Sequence, residues 1–490
     1  MKRGLQSKNF LALTLALSGF ILIFFSLHGV GISADSITYA SVSRNLSGKG
    51  TLYSFDGDVF VDFPIGYPVL LGVIQWLTRT DPFVYGLFLN ALLFGGVVFG
   101  VVRMLGEEGM GTRERFLLGA CVVASPAMLV VFEMLWSETL FIACLVYFLW
   151  ALLRYGRTQG EGAFWTMIVL AAVAAVTRYA GLTLIATGGL CILADRELQP
   201  WKRLKRAFIF GAASMSLLAA NLIRNRIISG TVTGNRQKNL LPLGVHIRRF
   251  GAVLCQWLPP LHHFPALYGT CATLFILGLA GAWIYWWVKR KHALSLASLG
   301  VTFCGVYTLF ILSTAMLTAY EGLDTRLLSP LYIPALIGFG GTLYGWLPNR
   351  YVLTGALCLL LALGVASETH YLENPTIAFQ RYVRYDIDDL RKSPTIQYIN
   401  SHPELLDSTN TMYSNAPDLI YLLTRRRHSE YLPELYSPED IRDFWFDHGA
   451  YLVWLNACLA YPTSHLKTLN DRVGLTLLCT FADGAIYIHK

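Results

Sequence analysis

The side chains able to do chemistry in this chain fall in a few short clusters. Asp35 stands four positions before Tyr39, a helical spacing that puts both on one face, and Arg44 and Asn45 follow. A carboxylate there can serve as a general base; a helix N-cap is the plainer use of an aspartate at such a place. Glu133 and Glu138 bracket Met134-Leu135-Trp136-Ser137 and, five apart, need not share a face. They offer a second carboxylate, for base or acceptor support or for a divalent cation, with a helix cap at Ser137 or Glu138 as the alternative. Arg178, in Thr177-Arg178-Tyr179-Ala180-Gly181, requires an anionic partner, either Glu138 or a ligand phosphate. Asp324 and Arg326 follow Tyr320 and Glu321 closely enough for Arg326 to pair locally with either acid. A guanidinium also suits two-point binding of a phosphate. Tyr67 lies in Asp62-Phe63-Pro64-Ile65-Gly66-Tyr67-Pro68, whose prolines and glycine predict a rigid turn and no helix through Pro68.

The elements that must position these residues follow from composition. The chain has 490 residues, 54% hydrophobic and only 14% charged, with a mean hydropathy of +0.48. A soluble domain carries about 25% charged residues. So few charges exclude a soluble enzyme, a disordered chain and a disulfide-stapled secreted domain. The net charge is +8, but the basic residues are not gathered on one patch, so nucleic acid is not the expected partner. Residues 1–367 hold 28 Lys and Arg against 15 Asp and Glu, and residues 368–490 hold 11 against 16. The first region predicts a transmembrane catalytic domain. The second predicts a small soluble α/β domain, with 451–455 as one of its buried strands.

A bilayer core is crossed by about 20 apolar residues of helix. Eleven segments qualify: 10–32, 84–104, 116–133, 138–153, 161–177, 180–194, 207–223, 267–288, 293–317, 328–347 and 351–367. A re-entrant helix near 66–78 is a further candidate. Ten spans follow the first, and Ile32-Ser33-Ala34 is not a small-residue cleavage site, so the first helix is expected to stay uncleaved. With the N-terminus inside, 17 basic residues lie on the cytoplasmic side and 11 outside, six of the latter in 224–265. The chemical clusters then all face outward, as does the C-terminal domain of a multi-pass protein of the cell (inner) membrane. The basic loop 224–265, with Arg236, His246, Arg248 and Arg249 among others, fits an anionic ligand on that face or a solvated loop.

Taken together, the clusters resemble the GT-C superfamily of integral membrane glycosyltransferases, in the branch of the protein O-mannosyltransferases and the lipid A aminoarabinose transferase. The resemblance rests on Asp35 and Tyr39 after the first span, on Phe63-Pro64-Ile65-Gly66-Tyr67-Pro68-Val69-Leu70-Leu71, on Trp136-Ser137-Glu138-Thr139-Leu140-Phe141, on Thr177-Arg178-Tyr179-Ala180-Gly181-Leu182, and on Arg326-Leu327-Leu328-Ser329-Pro330-Leu331-Tyr332. It covers most of residues 1–367 and none of the C-terminal domain. It implies a GT-C-like fold, a polyprenyl-phosphate-linked sugar as donor and a first-loop aspartate, here Asp35, as the catalytic carboxylate. Ser36 follows Asp35 where family members often carry a paired acid, which sets this chain apart from the adjacent-acid metal sites.

The chemistry is consistent with that implication. A sugar bonded to phosphate already carries a good leaving group, so one base suffices to take a proton from a hydroxyl acceptor. The expected reaction is an inverting single displacement with Asp35 as base and Glu138 supporting the acceptor or a metal. Arg178 and Arg326 are expected on the donor phosphate, and Tyr39, Tyr67, Glu133 and Asp324 around the substrate. A divalent cation, Mg or Mn, would use Asp35 or Glu138. The alternatives are a secondary transporter, an outer scaffold, and an oligosaccharide ligase or flippase. Cys458 and Cys479 in the outer domain are either a disulfide or free thiols. Ser414-Asn415-Ala416-Pro417 and Arg425-Arg426-Arg427-His428 read as a turn and a solvated basic stretch or as glycan contacts.

Overall fold

The computed structural model describes residues 2–26, 29–234, 236, 238–289, 294–318, 322–347, 350–373, 390–407, 410–424, 429–433, 442, 444, 447–456 and 463–489. The Arg425–His428 stretch, Tyr320, Glu321 and Cys458 lie outside them. Cys479 is half-buried and free.

In chain order the helices of the apolar region are α1 (Lys2–Ser26), α2 (Ala34–Lys49), α3 (Gly66–Thr78), α4 (Pro82–Glu107), α5 (Thr112–Val123), α6 (Pro126–Glu133), α7 (Glu138–Thr158), α8 (Glu161–Thr177), α9 (Leu182–Ala194), α10 (Pro200–Ser229), α11 (Leu243–Gln256), α12 (Tyr268–Ile284), α13 (Leu296–Leu317), α14 (Thr325–Trp346) and α15 (Arg350–Glu373). Each of the eleven expected apolar segments coincides with helix. Seven are long and apolar enough to cross a membrane; α5 and α6, bent by 48°, make an eighth together, and α1, α8 and the segment ending in α9 are shorter apolar helices. The protein is a polytopic α-helical membrane protein.

The chain divides into two compact units. One comprises Met1–Gly31, Val61–Tyr67 and Phe83–Ala378; the other comprises Ile32–Phe60, Pro68–Pro82 and Phe379–Lys490. In the first unit, α13 and α14 cross where Gly300 faces the Pro334 carbonyl and Gly338 faces the Val301 backbone. A Cβ on Gly300 would sit 2.6 Å from that carbonyl oxygen, so only glycine permits this approach. α14 holds Pro330 and Pro334 inside its length. The α5–α6 bend falls at Ala124-Ser125-Pro126, where Pro126 cannot continue the ladder of α5 and the Ser125 hydroxyl accepts from the Met128 amide to cap α6.

Three expectations are corrected. α1 ends at Ser26, not near residue 32: Gly31 is not helical, donating to the Glu133 carbonyl at 2.7 Å and accepting from the Leu135 amide at 3.0 Å. The run through Pro68 does not exclude helix, since α3 begins at Gly66 and Pro68 stands in its first turn, where no amide hydrogen is needed. Asp35 is not the cap of α2: Ser33 is, and the Ser36 hydroxyl accepts from the Ser33 amide at 3.1 Å.

The second unit builds a five-stranded sheet from β1 (Met412–Ser414), β2 (Ser429–Tyr431), β3 (Tyr451–Leu455), β4 (Thr476–Phe481) and β5 (Gly484–Ile488), in the order β2-β1-β3-β5-β4. β1 runs parallel to β2 and β3, and β5 runs antiparallel to β3 and β4. Its core gathers Tyr413, Phe444, Leu452, Trp454 and Leu469. Asn415 is buried, bonded to both the carbonyl and the amide of Leu455, so it serves the sheet rather than a ligand.

The first-loop helices belong to this same unit. Arg44 of α2 makes a two-point bond to Asp81, at 2.8 and 3.1 Å, and donates to the Tyr421 hydroxyl at 3.3 Å. Tyr421 stacks on Phe55 with centroids 5.6 Å apart. Burial alone would lower the Arg44 pKa; Asp81 outweighs it, and the net direction is up. Arg44→Ala removes all three contacts. Amide hydrogen exchange should then quicken together in the last turns of α2 and in the helix Pro417–Thr424, while α7 and α13 keep their protection. Unchanged exchange in Pro417–Thr424 would show that Arg44 does not bind the sheet domain to α2.

Candidate functional site

The three residues Trp136-Ser137-Glu138 start α7, and they organise the polar centre of the first unit. Glu138 is 1% exposed although it is a carboxylate in a membrane protein. Two cations share it. Arg178 lies 2.6 Å from one carboxylate oxygen, and the Arg326 Nε donates to that same oxygen, with its Nη2 3.5 Å from the other. Ser137 continues the network: its hydroxyl accepts from Arg178 at 2.9 Å and donates to Glu138 at 3.3 Å. The Arg326 guanidinium lies over the Trp136 ring, 4.4 Å from its centre.

Each partner arrives from a helix end. Arg178 stands between α8 and the short turn Tyr179–Gly181, in extended conformation, because the chain must leave one helix before starting the next. Gly66 rests against the backbone of Val176 and Thr177, where a Cβ would meet the Val176 carbonyl oxygen at 2.7 Å, so the segment before Tyr67 abuts the Arg178 junction. Arg326 sits in the first turn of α14, whose N-cap is Asp324, bonded to the Leu327 amide at 2.8 Å. Arg326 thus pairs with Glu138, and Asp324 serves the helix end.

Two guanidiniums share one carboxylate, and the charge of Asp324 acts on all three groups. The two side chains are 17% and 18% exposed, so part of each faces outward. The arrangement can take an anion with several acceptor oxygens. It does not fit a divalent cation at Glu138, because guanidinium donors already occupy the carboxylate. Among the described residues no group of three or more His, Cys, Asp and Glu side chains could hold a metal ion.

The remaining expected residues take these places. Asp35 is half-buried in the first turn of α2, in the second unit. Tyr39, one turn on, is 2% exposed with its ring edge-on to Phe60 at 6.4 Å. Tyr67 is fully buried in the first unit. The Glu133 carbonyl accepts from Gly31, and Asp35 follows Gly31 by four residues along the chain.

Several residues gained a role that the sequence did not suggest. Trp136 and Ser137 hold the arginines. Asn90, fully buried in α4, donates to the Met134 carbonyl at 2.8 Å and fixes the extended segment before α7. Asn225 in α10 donates to the carbonyls of Val61 and Val232 at 3.2 and 3.0 Å. Arg236 donates to the Asp62 carbonyl and lies over the Phe63 ring at 5.7 Å. A lone Asn in an apolar stretch was the signal available for Asn90, whereas Asn225 stands between Arg224 and Arg226.

No family model matches the chain, and no curated protein matches it by sequence. Among solved structures it is similar to ArnT from Cupriavidus metallidurans in the apo state, at 13% identity and a TM-score of 0.57, covering 98% of this chain and 97% of that one. ArnT bound to undecaprenyl phosphate gives 14% identity and the same TM-score and coverage. The arabinofuranosyltransferase AftD from mycobacteria gives 16% identity and a TM-score of 0.54, covering 97% of this chain and 41% of that one. The fold is shared with these solved structures of ArnT and AftD.

Because Glu138 is a buried acid shared by two half-buried cations, Glu138→Ala should cost roughly 3–5 kcal/mol of stability. Asp324→Ala, the loss of a cap, should cost about 1 kcal/mol. Thermal unfolding in lipid nanodiscs separates the two; equal effects would mean that the cluster is not held by its charge balance.

Proposed function

We propose that the protein is a membrane glycosyltransferase that moves a sugar from a polyprenyl-phosphate donor to a hydroxyl acceptor on the outer face of the cell membrane. The observation that carries this reading is the pair of partly exposed guanidiniums, Arg178 and Arg326, gathered on Glu138, in a fold shared along 98% of the chain with a protein solved bound to undecaprenyl phosphate. A lipid phosphate supplies the anion at headgroup depth, and its tail accounts for the number of apolar helices. The acceptor can be a lipid, a glycan or a protein, and the sugar a hexose or a pentose.

In this reading the acceptor oxygen attacks the anomeric carbon as Asp35 takes its proton. The new carbon–oxygen bond forms as the bond from that carbon to the phosphate oxygen breaks, and the electron pair leaves with the phosphate. The configuration inverts. Arg178 and Arg326 neutralise the charge that grows on the leaving phosphate. Glu138 is a positioning residue: it aims both guanidiniums rather than supporting the acceptor. No step is routed through a divalent cation. The sheet domain is assigned to the outer face with α2, to which Arg44 joins it.

The test is an in-membrane assay with polyprenyl-phosphate sugars. Asp35→Asn should lower transfer by about 10²-fold or more and leave binding of bare undecaprenyl phosphate intact. Arg326→Gln should weaken both. Wild-type transfer by Asp35→Asn, at normal expression, would remove Asp35 as the base. Undiminished lipid binding by Arg326→Gln would remove the phosphate role of the cluster.

A further inference from the structure

The buried face of α10 carries Phe210, Ser214, Leu218, Asn221 and Asn225. Its two amides differ. Asn225 is saturated: its nitrogen serves two carbonyls, and its oxygen accepts from Arg224 at 2.9 Å. Asn221, one turn earlier, is 3% exposed, and neither its nitrogen nor its oxygen has a partner. An unpaired amide inside a membrane-spanning helix is costly, and leucine would avoid that cost. A ligand that completes its bonds accounts for its presence.

A second orphan lies at the same end of the unit. The Tyr179 hydroxyl is buried without a partner, and Tyr179 follows Arg178 directly. The charges of Arg236 and Asp62 act on it. Arg236 binds the Asp62 carbonyl, and Asn225 binds the Val61 carbonyl next to it. The segment Val61–Phe63 is therefore gripped on one side by the residue one turn from Asn221, and it carries charge that reaches Tyr179. The unpaired groups comprise amide donors, an amide acceptor and a hydroxyl, all uncharged. Amide and phenol groups of this kind pair with the hydroxyls of a sugar.

We propose that Asn221 and Tyr179 form the subsite for an uncharged, hydroxyl-rich sugar on the donor lipid and set its specificity. This inference rests on the function proposed above: the sugar hangs from a phosphate held by Arg178, so a hydroxyl reader belongs beside that arginine. The subsite recognises the sugar, and the arginines recognise the phosphate.

The experiment measures dissociation constants in nanodiscs for bare undecaprenyl phosphate and for the same lipid carrying glucose, mannose, galactose, arabinose or galacturonic acid. In the wild type at least one neutral glycosyl lipid should bind about tenfold tighter than the bare lipid, and the galacturonosyl lipid should not. Asn221→Leu and Tyr179→Phe should each erase most of that gain and leave the bare lipid's affinity unchanged. The unliganded thermal midpoint of Asn221→Leu should not fall, because an apolar side chain replaces unpaired polar atoms; a marked fall would reveal a structural partner and overturn the subsite. A gain that survives both substitutions would also overturn it, as would bare-lipid binding with no gain from any neutral sugar. If the wild type bound no lipid at all, the proposed donor would fall with it.

Discussion

The first unit is organised around a carboxylate that cannot be left alone. Glu138 is removed from solvent at the start of a membrane-spanning helix, and an isolated charge there would be strongly disfavoured. It is kept by two guanidiniums, one from the junction after α8 and one from the start of α14. Three helix ends distant in sequence are thereby tied at one point. The tie also sets local chain shape. α8 has to stop at Thr177 so that Arg178 can turn extended toward Glu138, and α14 has to begin at Thr325, capped by Asp324, for Arg326 to reach it. The extended segment from Met134 to Trp136, paired with Gly31 and held by Asn90, delivers Glu138 in register.

The second unit is tied by the same kind of bond under different solvent conditions. Arg44 and Asp81 meet in two-point geometry, but their side chains are 15% and 31% exposed, so water shares the work that protein groups do alone at Glu138. A pair of this kind contributes modestly by itself. Tyr421 and Phe55 add stacked aromatic area around it, and Ser43 bonds Gln75 at 2.8 Å one residue away. The consequence is that α2, the helix carrying Asp35, is packed with the C-terminal sheet rather than being an independent loop segment. Composition pointed to a division near residue 367; the contacts group residues 32–60 and 68–82 with the sheet. Composition reports which solvent a segment meets, and it carries no information on which segments then pack together.

The legibility of the chain follows that distinction. The apolar helices were readable because a long apolar run is required wherever lipid is the solvent, and 161–177 agrees with α8 to the residue. Strand 451–455 was readable from its continuous apolar character and flanking polar residues. Ends that depend on a distant partner were not readable: the chain is not helical at Gly31, which pairs with the segment at Met134, a contact about a hundred residues away. The cap alternative for Asp35 failed because Ser33 and Ser36 take that task between them. The pairing of Arg178 with Glu138 was one of two options in the sequence. The second arginine on the same carboxylate was not foreseen, because Asp324 and Glu321 stand so much closer to Arg326 along the chain. Asn90, Asn221 and Asn225 carry no charge to mark them in the sequence, yet each sits in a membrane-spanning helix with an amide that needs partners.

The arithmetic of the cluster bears on why a transferase for a phospholipid-linked sugar would keep a buried acid between its arginines. Two guanidiniums gathered at one point repel each other, so a bare pair would have to spread in the absence of substrate. With Glu138 between them the pair is held together before any ligand arrives, and binding does not have to include that reorganisation. The carboxylate also moderates the outcome. The phosphate released by the proposed reaction carries more charge than the phosphodiester that entered, so two unopposed cations would bind the product more tightly than the donor. An acid between the two cations narrows that difference. Removing Glu138 would therefore both loosen the unliganded cluster and deepen the product well, two effects that stability measurements and turnover report separately.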